Sequence, residues 1–439
     1  MCNRLHRPFS PAIKQPATIN IPFPLHCMAS VARKNLFEDI PRFLVAQAGI
    51  VFAVSLVTIQ TGILNGFSRS TVTLIDRSQA DVWVGAKEMV NLQLTLPIPA
   101  GMVAEAQKVE GVELAEAMLT RATTWRSPDG EIAPMQMFGF DPTGELFNPG
   151  QLSAETLQAL EQPYTIMPDQ ANKASINVEA IGDTGTIGSL SATVIGFTQG
   201  TQSIASSTYV FASLRNANAY LTAGYTTTTN CRLESGKLLC NNVFERTKTP
   251  NAIATPASVA ASDAITYVLI RAQPGADLQA LKQRLEAALP NTRAFTRAEI
   301  SERTRKYWVE RTGIGFVLGL GAAVGVIVGM VIVGQILYSS VADHIREFGT
   351  LKAMGASDWV IYRIIIEQAL WMAVLGYIPS VGLCIGLGFW TFATQGITIL
   401  ITPVTAVGVL GVTVGMCVVS ALFAIQKVTH VDPAIVFKA

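Results

Sequence analysis

Three long runs of this 439-residue chain are predominantly apolar and contain no residue with a formal charge. They extend over residues 43–68, 312–342 and 368–426. A helix needs roughly 20 apolar residues to cross the ~30 Å hydrocarbon core of a bilayer. Each of the first two runs therefore predicts one membrane-spanning helix, and the third is long enough for two. Only 14% of the residues are charged, against about 25% in a typical soluble domain.

The runs predict an α-helical membrane protein with four transmembrane helices and a large α+β extracytoplasmic domain between the first and second. The third run is expected to break at Thr394–Gly396, with Pro403 opening the last helix. The predicted spans lie near Leu44–Leu64, Ile314–Tyr338, Gln368–Phe392 and Val404–Ile425.

Basic residues near the span ends predict the orientation. Lysine and arginine accumulate in short cytoplasmic loops, and here they lie before the first span, between the second and third, and after the fourth. Both termini are therefore expected inside and the large domain outside. Four basic residues just before the second span oppose this assignment, but long loops translocate largely regardless of charge. These four are Arg303, Arg305, Lys306 and Arg311.

The first 27 residues lack the apolar core of a signal peptide. We interpret residues 1–27 as a disordered extension or as the product of a mis-assigned start, with Met28 as the alternative first residue. The first span has no small-residue cleavage site at its end, so it is expected to remain as an anchor.

The region between the first two spans predicts a domain built from both of its ends. A strand at 81–85 precedes a helix at 99–109, and a strand at 265–270 precedes a helix that starts after Asp277. A Thr-, Ser- and Gly-rich stretch at about 145–260 lies between these two units and is expected to form an inserted β-rich subdomain. The alternative is a single irregular α+β domain.

Two cysteines flank a predicted hairpin turn. Cys231 and Cys240 are equidistant from Ser235-Gly236, so they face each other across the ladder at a non-hydrogen-bonded pair, where Cα atoms approach to about 4.5 Å. That separation allows a disulfide, and an outer compartment would permit it. The alternative is two free thiols in a loop.

No arrangement of residues in the sequence predicts a catalytic centre. There is no phosphate-binding loop with the required glycine spacing, and the four histidines form no metal-ligand pattern. The net charge of +1 gives no reason to expect a nucleic-acid partner. We therefore expect no enzyme activity, no metal and no bound cofactor in this chain.

The second span carries glycines at helical spacing on two ridges. Glycines four residues apart lie on one helix face and allow another helix to approach closely. Either a partner helix, for example in a dimer, or small-residue packing within one subunit would explain them. The glycines are Gly315, Gly319, Gly321, Gly325 and Gly329.

The connection between the second and third spans is short and amphipathic, and it carries charges of both signs. It predicts either a docking site for a soluble partner or a solvated connecting helix. Its candidate contact residues are His344, Arg346, Glu347, Phe348, Leu351, Lys352, Met354 and Gly355.

This same segment carries a family resemblance. The sequence from Arg346 to Gly355, REFGTLKAMG, followed by Glu367, resembles the hallmark of the FtsX/MacB-type permeases of ABC transporters. Residues 315–325, 331–344 and 42–52 look most like the DevC branch of that family. The resemblance covers roughly residues 28–439 and is weakest in the middle of the outer domain.

The resemblance implies a permease subunit that acts as a homodimer in the cell inner membrane, with its large domain in the periplasm. A separate ABC ATPase, which holds the ATP and Mg²⁺, would dock on the cytoplasmic connection. A periplasmic membrane-fusion adaptor and an outer-membrane channel would receive the cargo, which for this branch would be a glycolipid or another hydrophobic molecule. The outer domain would divide into Porter and Sabre subdomains. ATP-driven motion of the helices would move that domain, rather than open a pore.

Two alternatives of a different kind remain at this point: a signalling permease that activates a periplasmic hydrolase, and a permease that releases lipoproteins. On the leading interpretation the chain divides into an N-terminal extension (1–27), a lead-in with the first span (28–65), the periplasmic domain (66–311), the second span (312–342), the coupling segment (343–366), and the last two spans with a cytoplasmic tail (367–439).

Overall fold

The structure is a computed structural model that describes residues 40–222, 225–234, 237–246, 255–353, 357–395 and 399–429. The predicted N-terminal extension and Met28 lie outside these residues. The helices are α1 (Ile40–Ser70), α2 (Thr73–Arg77), α3 (Met102–Ala106), α4 (Ala154–Ala159), α5 (Leu214–Thr222), α6 (Leu278–Ala288), α7 (Arg297–Arg311), α8 (Ile314–Asp343), α9 (Ile345–Ala353), α10 (Asp358–Gln395) and α11 (Pro403–Thr429).

The strands are β1 (Val82–Ala86), β2 (Ile98–Pro99), β3 (Val112–Arg126), β4 (Ile132–Phe140), β5 (Thr165–Pro168), β6 (Thr184–Ile187), β7 (Leu190–Val194), β8 (Thr208–Ser213), β9 (Tyr225–Glu234), β10 (Lys237–Arg246), β11 (Ala264–Ile265), β12 (Tyr267–Ala272) and β13 (Thr292–Thr296).

Four helices in the described part of the chain are long and apolar enough to cross a membrane: α1, α8, α10 and α11. Each contains one predicted span, so the predicted count of four is confirmed. Three begin or end well outside the predicted limits: α1 and α10 extend past charged residues that end the apolar run, and α8 continues to Asp343. The largest difference concerns the predicted coupling segment 343–366, whose second half forms the first turns of α10.

The described residues group into two compact units. The first comprises the described residues up to Ser55, Gly325–Val381, and those from Gly408 onward, and it holds most of the membrane helices. The second comprises Leu56–Val324 and Gly382–Val407 and holds the outer domain, which we define as residues 71–311.

In the first unit, α1 packs closely against two other helices. A Cβ added at Gly49 would lie 2.5 Å from Ile332 of α8, and one added at Gly376 would lie 3.0 Å from the Cβ of Ile50. The Ser380 hydroxyl of α10 also reaches the Val51 carbonyl, at 3.4 Å. Glycine is needed at such positions because any side chain would separate the helices.

The outer domain begins and ends with the two halves of one antiparallel sheet. The chain runs β1–α3–β3 at the start of the domain and β12–α6–β13 at its end, and these strands lie in the order β13-β1-β12-β3. This arrangement is the ferredoxin-like split βαβ motif. The sheet therefore unites the two predicted strand–helix units, although α3 is much shorter than the predicted helix at 99–109.

The insertion between β3 and β12 forms a closed barrel. Strands β3, β4, β8, β5, β7 and β6 are neighbours in that order, and β6 pairs back onto β3 at Trp125–Ile187. The buried Trp125 indole donates to the Ile176 carbonyl at 2.8 Å. The predicted start of the insertion is near residue 145, whereas its strands start at Ile132, because β3 continues from the first sheet into the barrel without a break.

A separate hairpin, β9 and β10, follows α5. Its backbone pairing places Cys231 directly opposite Cys240. The side chains of this hairpin lie outside the described residues, so the disulfide stays a prediction.

Candidate functional site

The site predicted from the sequence is the connection between α8 and α10. It contains a nine-residue helix, α9, that starts two residues after α8 ends. The His344 amide donates to the Ser340 carbonyl, and the Phe348 amide donates to the His344 carbonyl. The His344 Nδ1 atom also lies 2.9 Å from the Ser340 carbonyl oxygen. These contacts join the end of α8 to the start of α9.

The α9 helix is amphipathic, and its exposed face is charged. Phe348 is buried, at 3% exposure, whereas Arg346, Glu347 and Thr350 are exposed. A protein partner that binds this face would therefore meet one positive and one negative group.

Ion pairs lie at both ends of α9. Asp343, the last residue of α8, pairs with Arg42 in the first turn of α1. At the other end, the Lys352 ammonium lies 2.8 Å from an Asp358 carboxylate oxygen at the start of α10. The sequence identifies Arg42 as a topological charge and Asp343 as one of the charges of the coupling segment, but it does not pair the two, and it does not single out Asp358. Opposite charges at the ends of two apolar runs were the available signal.

Of the predicted coupling residues, the structure places His344, Arg346, Glu347, Phe348 and Lys352 on or next to α9. Leu351 belongs to α9 by its backbone, but its side chain is outside the described residues. Met354 and Gly355 are also outside them. The assignment of these residues to ATPase contact stays a prediction.

The glycines of α8 fall into two groups according to their surroundings. A Cβ at Gly321 would meet the Gln60 side chain, with Cδ at 2.8 Å, and a Cβ at Gly329 would meet Ala53 at 2.9 Å. Gly325, on the same ridge, is buried. Within the described residues, this ridge packs against helices of its own chain.

On the second ridge of α8, Gly319 has no atom within 4 Å of an added Cβ, and Gly315 meets only Val309 of α7. Large side chains on this part of α8 are widely exposed, with Phe316 at 74% and Leu320 at 55%. This side of α8 therefore faces lipid or another molecule.

The cysteines of the membrane helices are buried. Cys384 and Cys417 both have 0% exposure. Both thiols are therefore shielded from solvent by the residues packed around them.

The outer domain offers a shallow polar cavity of about 410 Å³ beside the edge strand β13. Both of its carboxylates have partners: the Lys282 ammonium lies 2.5 Å from the Glu299 carboxylate, and Glu286 accepts the Ala294 amide at 2.9 Å. Burial raises the pKa of Glu299, but hydrogen bonds from Lys282 and the Thr296 amide outweigh it, so the pKa is lowered. The two carboxylates that line this cavity, Glu286 and Glu299, therefore both have partners within the outer domain.

Two other carboxyl groups of the outer domain have a shifted pKa: that of Asp183 is lowered by hydrogen bonds from the Ala180 and Glu179 amides, and that of Glu116 is raised. Burial raises the pKa of Glu116, although its carboxylate accepts the Glu145 amide at 2.7 Å and the Leu146 amide at 3.1 Å. Those bonds fix the loop after β4, which is a structural role. In the part of the chain that the structure describes, no three His, Cys, Asp or Glu side chains are grouped to hold a metal ion.

Two protein-family models match the chain in complementary regions. The MacB-like periplasmic core domain matches residues 43–288, which is more than half of the chain. The FtsX-like permease C-terminal model matches residues 319–433. The first match covers α1 and most of the outer domain, and the second covers α9 and the last three membrane helices.

Individual relatives match parts of the chain. It is 32% identical over 127 residues to the macrolide export ATP-binding/permease protein MacB of Hyphomonas neptunium; the match spans 28% of this chain and 20% of that protein. Among solved structures, the periplasmic region of MacB from Actinobacillus actinomycetemcomitans is 9% identical with a TM-score of 0.31, covering 53% of this chain and 96% of that one. The extracellular domain of the noncanonic ABC-type transporter YknZ from Gram-positive bacteria is 7% identical with a TM-score of 0.29, covering 46% and 90%.

The four apolar helices, the domain between the first two of them, and the two complementary family matches together give one assignment: the chain belongs to the FtsX/MacB-type family of ABC transporter permeases, with a MacB-like periplasmic core domain.

Proposed function

We propose that this chain is the permease subunit of an ABC export system, in which an ABC ATPase docks on α9 and drives motion of the periplasmic domain. The observation that carries the proposal is α9 itself. It is a short amphipathic helix, charged on its exposed face, that connects two membrane helices in a permease of this family. The ATP and Mg²⁺ belong to the ATPase.

The mechanism requires that movement of α9 reaches the outer domain. Helix α9 is continuous with α8 through the His344–Ser340 and Phe348–His344 hydrogen bonds. Helix α8 in turn follows α7 after Thr312 and Gly313, and α7 belongs to the outer domain. A displacement of α9 would therefore be passed along α8 to the periplasmic side, with cargo pushed towards an adaptor and an outer-membrane channel.

We further propose that both termini and α9 are cytoplasmic, that the permease acts as a homodimer, and that it is of the DevC type with a hydrophobic or glycolipid cargo. The exposed side of α8 around Gly319 suits a second membrane helix. Orientation can be tested with membrane-impermeant thiol reagents on cysteines at Ile132 and Ser357, both exposed. The two should label from opposite sides, and labelling from one side would contradict the orientation.

The central experiment is affinity purification of the chain with its native partners from membranes. Export predicts that an ABC ATPase and an adaptor of the membrane-fusion type are recovered. A periplasmic hydrolase in place of the adaptor would favour the signalling alternative, and an outer-membrane lipoprotein carrier would favour lipoprotein release. Recovery of no ATPase under conditions that retain the dimer would overturn the proposal.

The role of α9 can then be tested by exchanging its exposed charges. In the double variant Arg346→Glu with Glu347→Arg, we expect the chain to fold and the ATPase to hydrolyse ATP, with most transport lost. The matched control exchanges Lys306 and Glu310 in α7, which lie four residues apart and are about equally exposed. Normal transport by the α9 variant, or equal loss in the control, would contradict docking at α9.

A further inference from the structure

The covalent chain connects α9 to α8 and α10 but leaves α1 without a direct link to it. Helix α1 nevertheless leads into the first residue of the outer domain, just as α8 follows its last. Helix α1 packs against α8 through Gly49 and Ile332, but this packing lies more than two turns away from α9. The ion pair between Arg42 and Asp343 adds a connection next to α9, because Asp343 lies two residues before α9 and Arg42 lies in the first turn of α1.

We propose that Arg42 and Asp343 act as positioning residues, which hold the start of α1 to the start of α9 so that both helices move together. The proposal rests on the proposed function for its purpose, but the contact can be tested without an ATPase. It assigns a role to two residues at the ends of apolar helices, 301 positions apart in the chain.

The second ion pair completes the arrangement. Lys352 near the end of α9 pairs with Asp358 in the first turn of α10, and its side chain is only 16% exposed. Helix α9 is thus held by one ion pair at each end. The side chain of Phe348, which lies between the two pairs along the chain, is buried. With Arg42 and Asp343 paired, α9 is tied to α1, α8 and α10.

The strength of the first pair sets the size of the expected effect. The Arg42 side chain is 39% exposed and the Asp343 side chain is 51% exposed. Removing an exposed pair of ~0.5–1 kcal/mol shifts an opening equilibrium by about two- to fivefold. The pair is therefore strong enough to bias a moving element without locking it.

The test is hydrogen exchange measured by mass spectrometry on the full chain in lipid nanodiscs. The variants are Arg42→Asp, Asp343→Arg, and the double exchange of both. Each single variant places like charges together, and we expect amides of α9 from Phe348 onward to exchange about two- to fivefold faster. The double variant restores an opposite pair and should restore slow exchange.

A second readout separates a link from a purely local role. If the pair joins two helices, Asp343→Arg should also speed exchange in the first turns of α1, and Arg42→Asp should do the same in α9. The neutral variant Arg42→Gln guards against misfolding of the like-charge forms. The Lys306–Glu310 exchange in α7 is the control and should leave both segments unchanged.

The proposal would be overturned if amide exchange in α9 were unchanged in the single variants. It would also be overturned if the increase in exchange rate in the double variant equalled the sum of the increases in the two single variants. Faster exchange at α9 alone, without any change in α1, would do the same. Failure of the proposed function would instead appear as the absence of an ATPase in the purification, and it would not alter these exchange rates.

Discussion

Two glycines of α8 lie on the same helix but have different surroundings. A Cβ added at Gly329 would overlap the Met416 Sδ atom and would lie 2.9 Å from the Ala53 Cβ and 3.0 Å from the Met416 Cε, whereas one added at Gly319 would meet no atom within 4 Å. We therefore predict that Gly329→Ala destabilises the membrane helices relative to Gly319→Ala.

The magnitude follows from the two distances at Gly329. Carbon atoms attract each other best at about 3.5–4.0 Å, so the backbone-anchored Ala53 Cβ would have to retreat by at least ~0.6 Å. The flexible end of Met416 can turn away, but Ala53 can move only with α1. Overpacking of this kind costs roughly 1–3 kcal/mol. Alanine favours a helix over glycine by up to about 1 kcal/mol, but both variants share this gain. The difference between them, ~1–3 kcal/mol, therefore isolates the contact.

The assay is unfolding in mixed micelles with increasing SDS, followed by alkylation of Cys417. This thiol has 0% exposure and adjoins Met416 on α11, so it reacts only when the packing around Gly329 opens. Peptide-resolved mass spectrometry separates its reaction from that of the other cysteines. Equal midpoints for the two variants would refute the reasoning.

Two further predictions concern the outer domain. Because the folded-state pKa of Glu299 is lowered, its pair with Lys282 stabilises the domain above the usual carboxyl pKa of 4.5 and loses that effect as the pH falls through the lowered value. Glu299→Gln keeps the helix cap and should lower Tm at pH 7 by an amount that shrinks as the pH falls through the lowered pKa of Glu299; a difference that stays constant as Glu299 becomes protonated would contradict the ion-pair origin. Non-reducing peptide mapping should recover Cys231 linked to Cys240, and alkylation of both thiols without reductant would exclude the disulfide.

The four membrane helices could be predicted because a buried charge in a bilayer is costly, so a long apolar run without any charge strongly indicates a span. Their ends could not. Asp358 and Asp343 are charged residues within helices, and the apolar runs stop short of them. Charge marks the edge of the hydrocarbon, whereas hydrogen bonding marks the end of the helix.

The barrel could not be predicted, for a different reason. Strand β3 contributes to two subdomains, and its pairing with β6 joins Trp125 to Ile187 across a long stretch of chain. Local alternation of apolar residues predicts that a strand exists, but it carries no information about the partner that closes a sheet. The Arg42–Asp343 pair could not be predicted for the same reason, because no local sequence pattern indicates a contact between residues 301 positions apart.

Three of the four basic residues before the second span, which opposed the predicted orientation, contact groups within the outer domain. The Arg303 guanidinium donates to the Met89 carbonyl at 2.8 Å and lies 5.6 Å from the centre of the Phe295 ring.

Two of its neighbours on α7 pair within the same helix: Arg305 with Glu302 at 2.9 Å, and Lys306 with Glu310 at 3.8 Å. Basic residues that form such contacts inside a folded domain should not be counted when the orientation of the membrane helices is predicted from lysine and arginine. The positive-inside count therefore rests on the short connections alone, and it supports a periplasmic outer domain with α9 on the side where ATP is available.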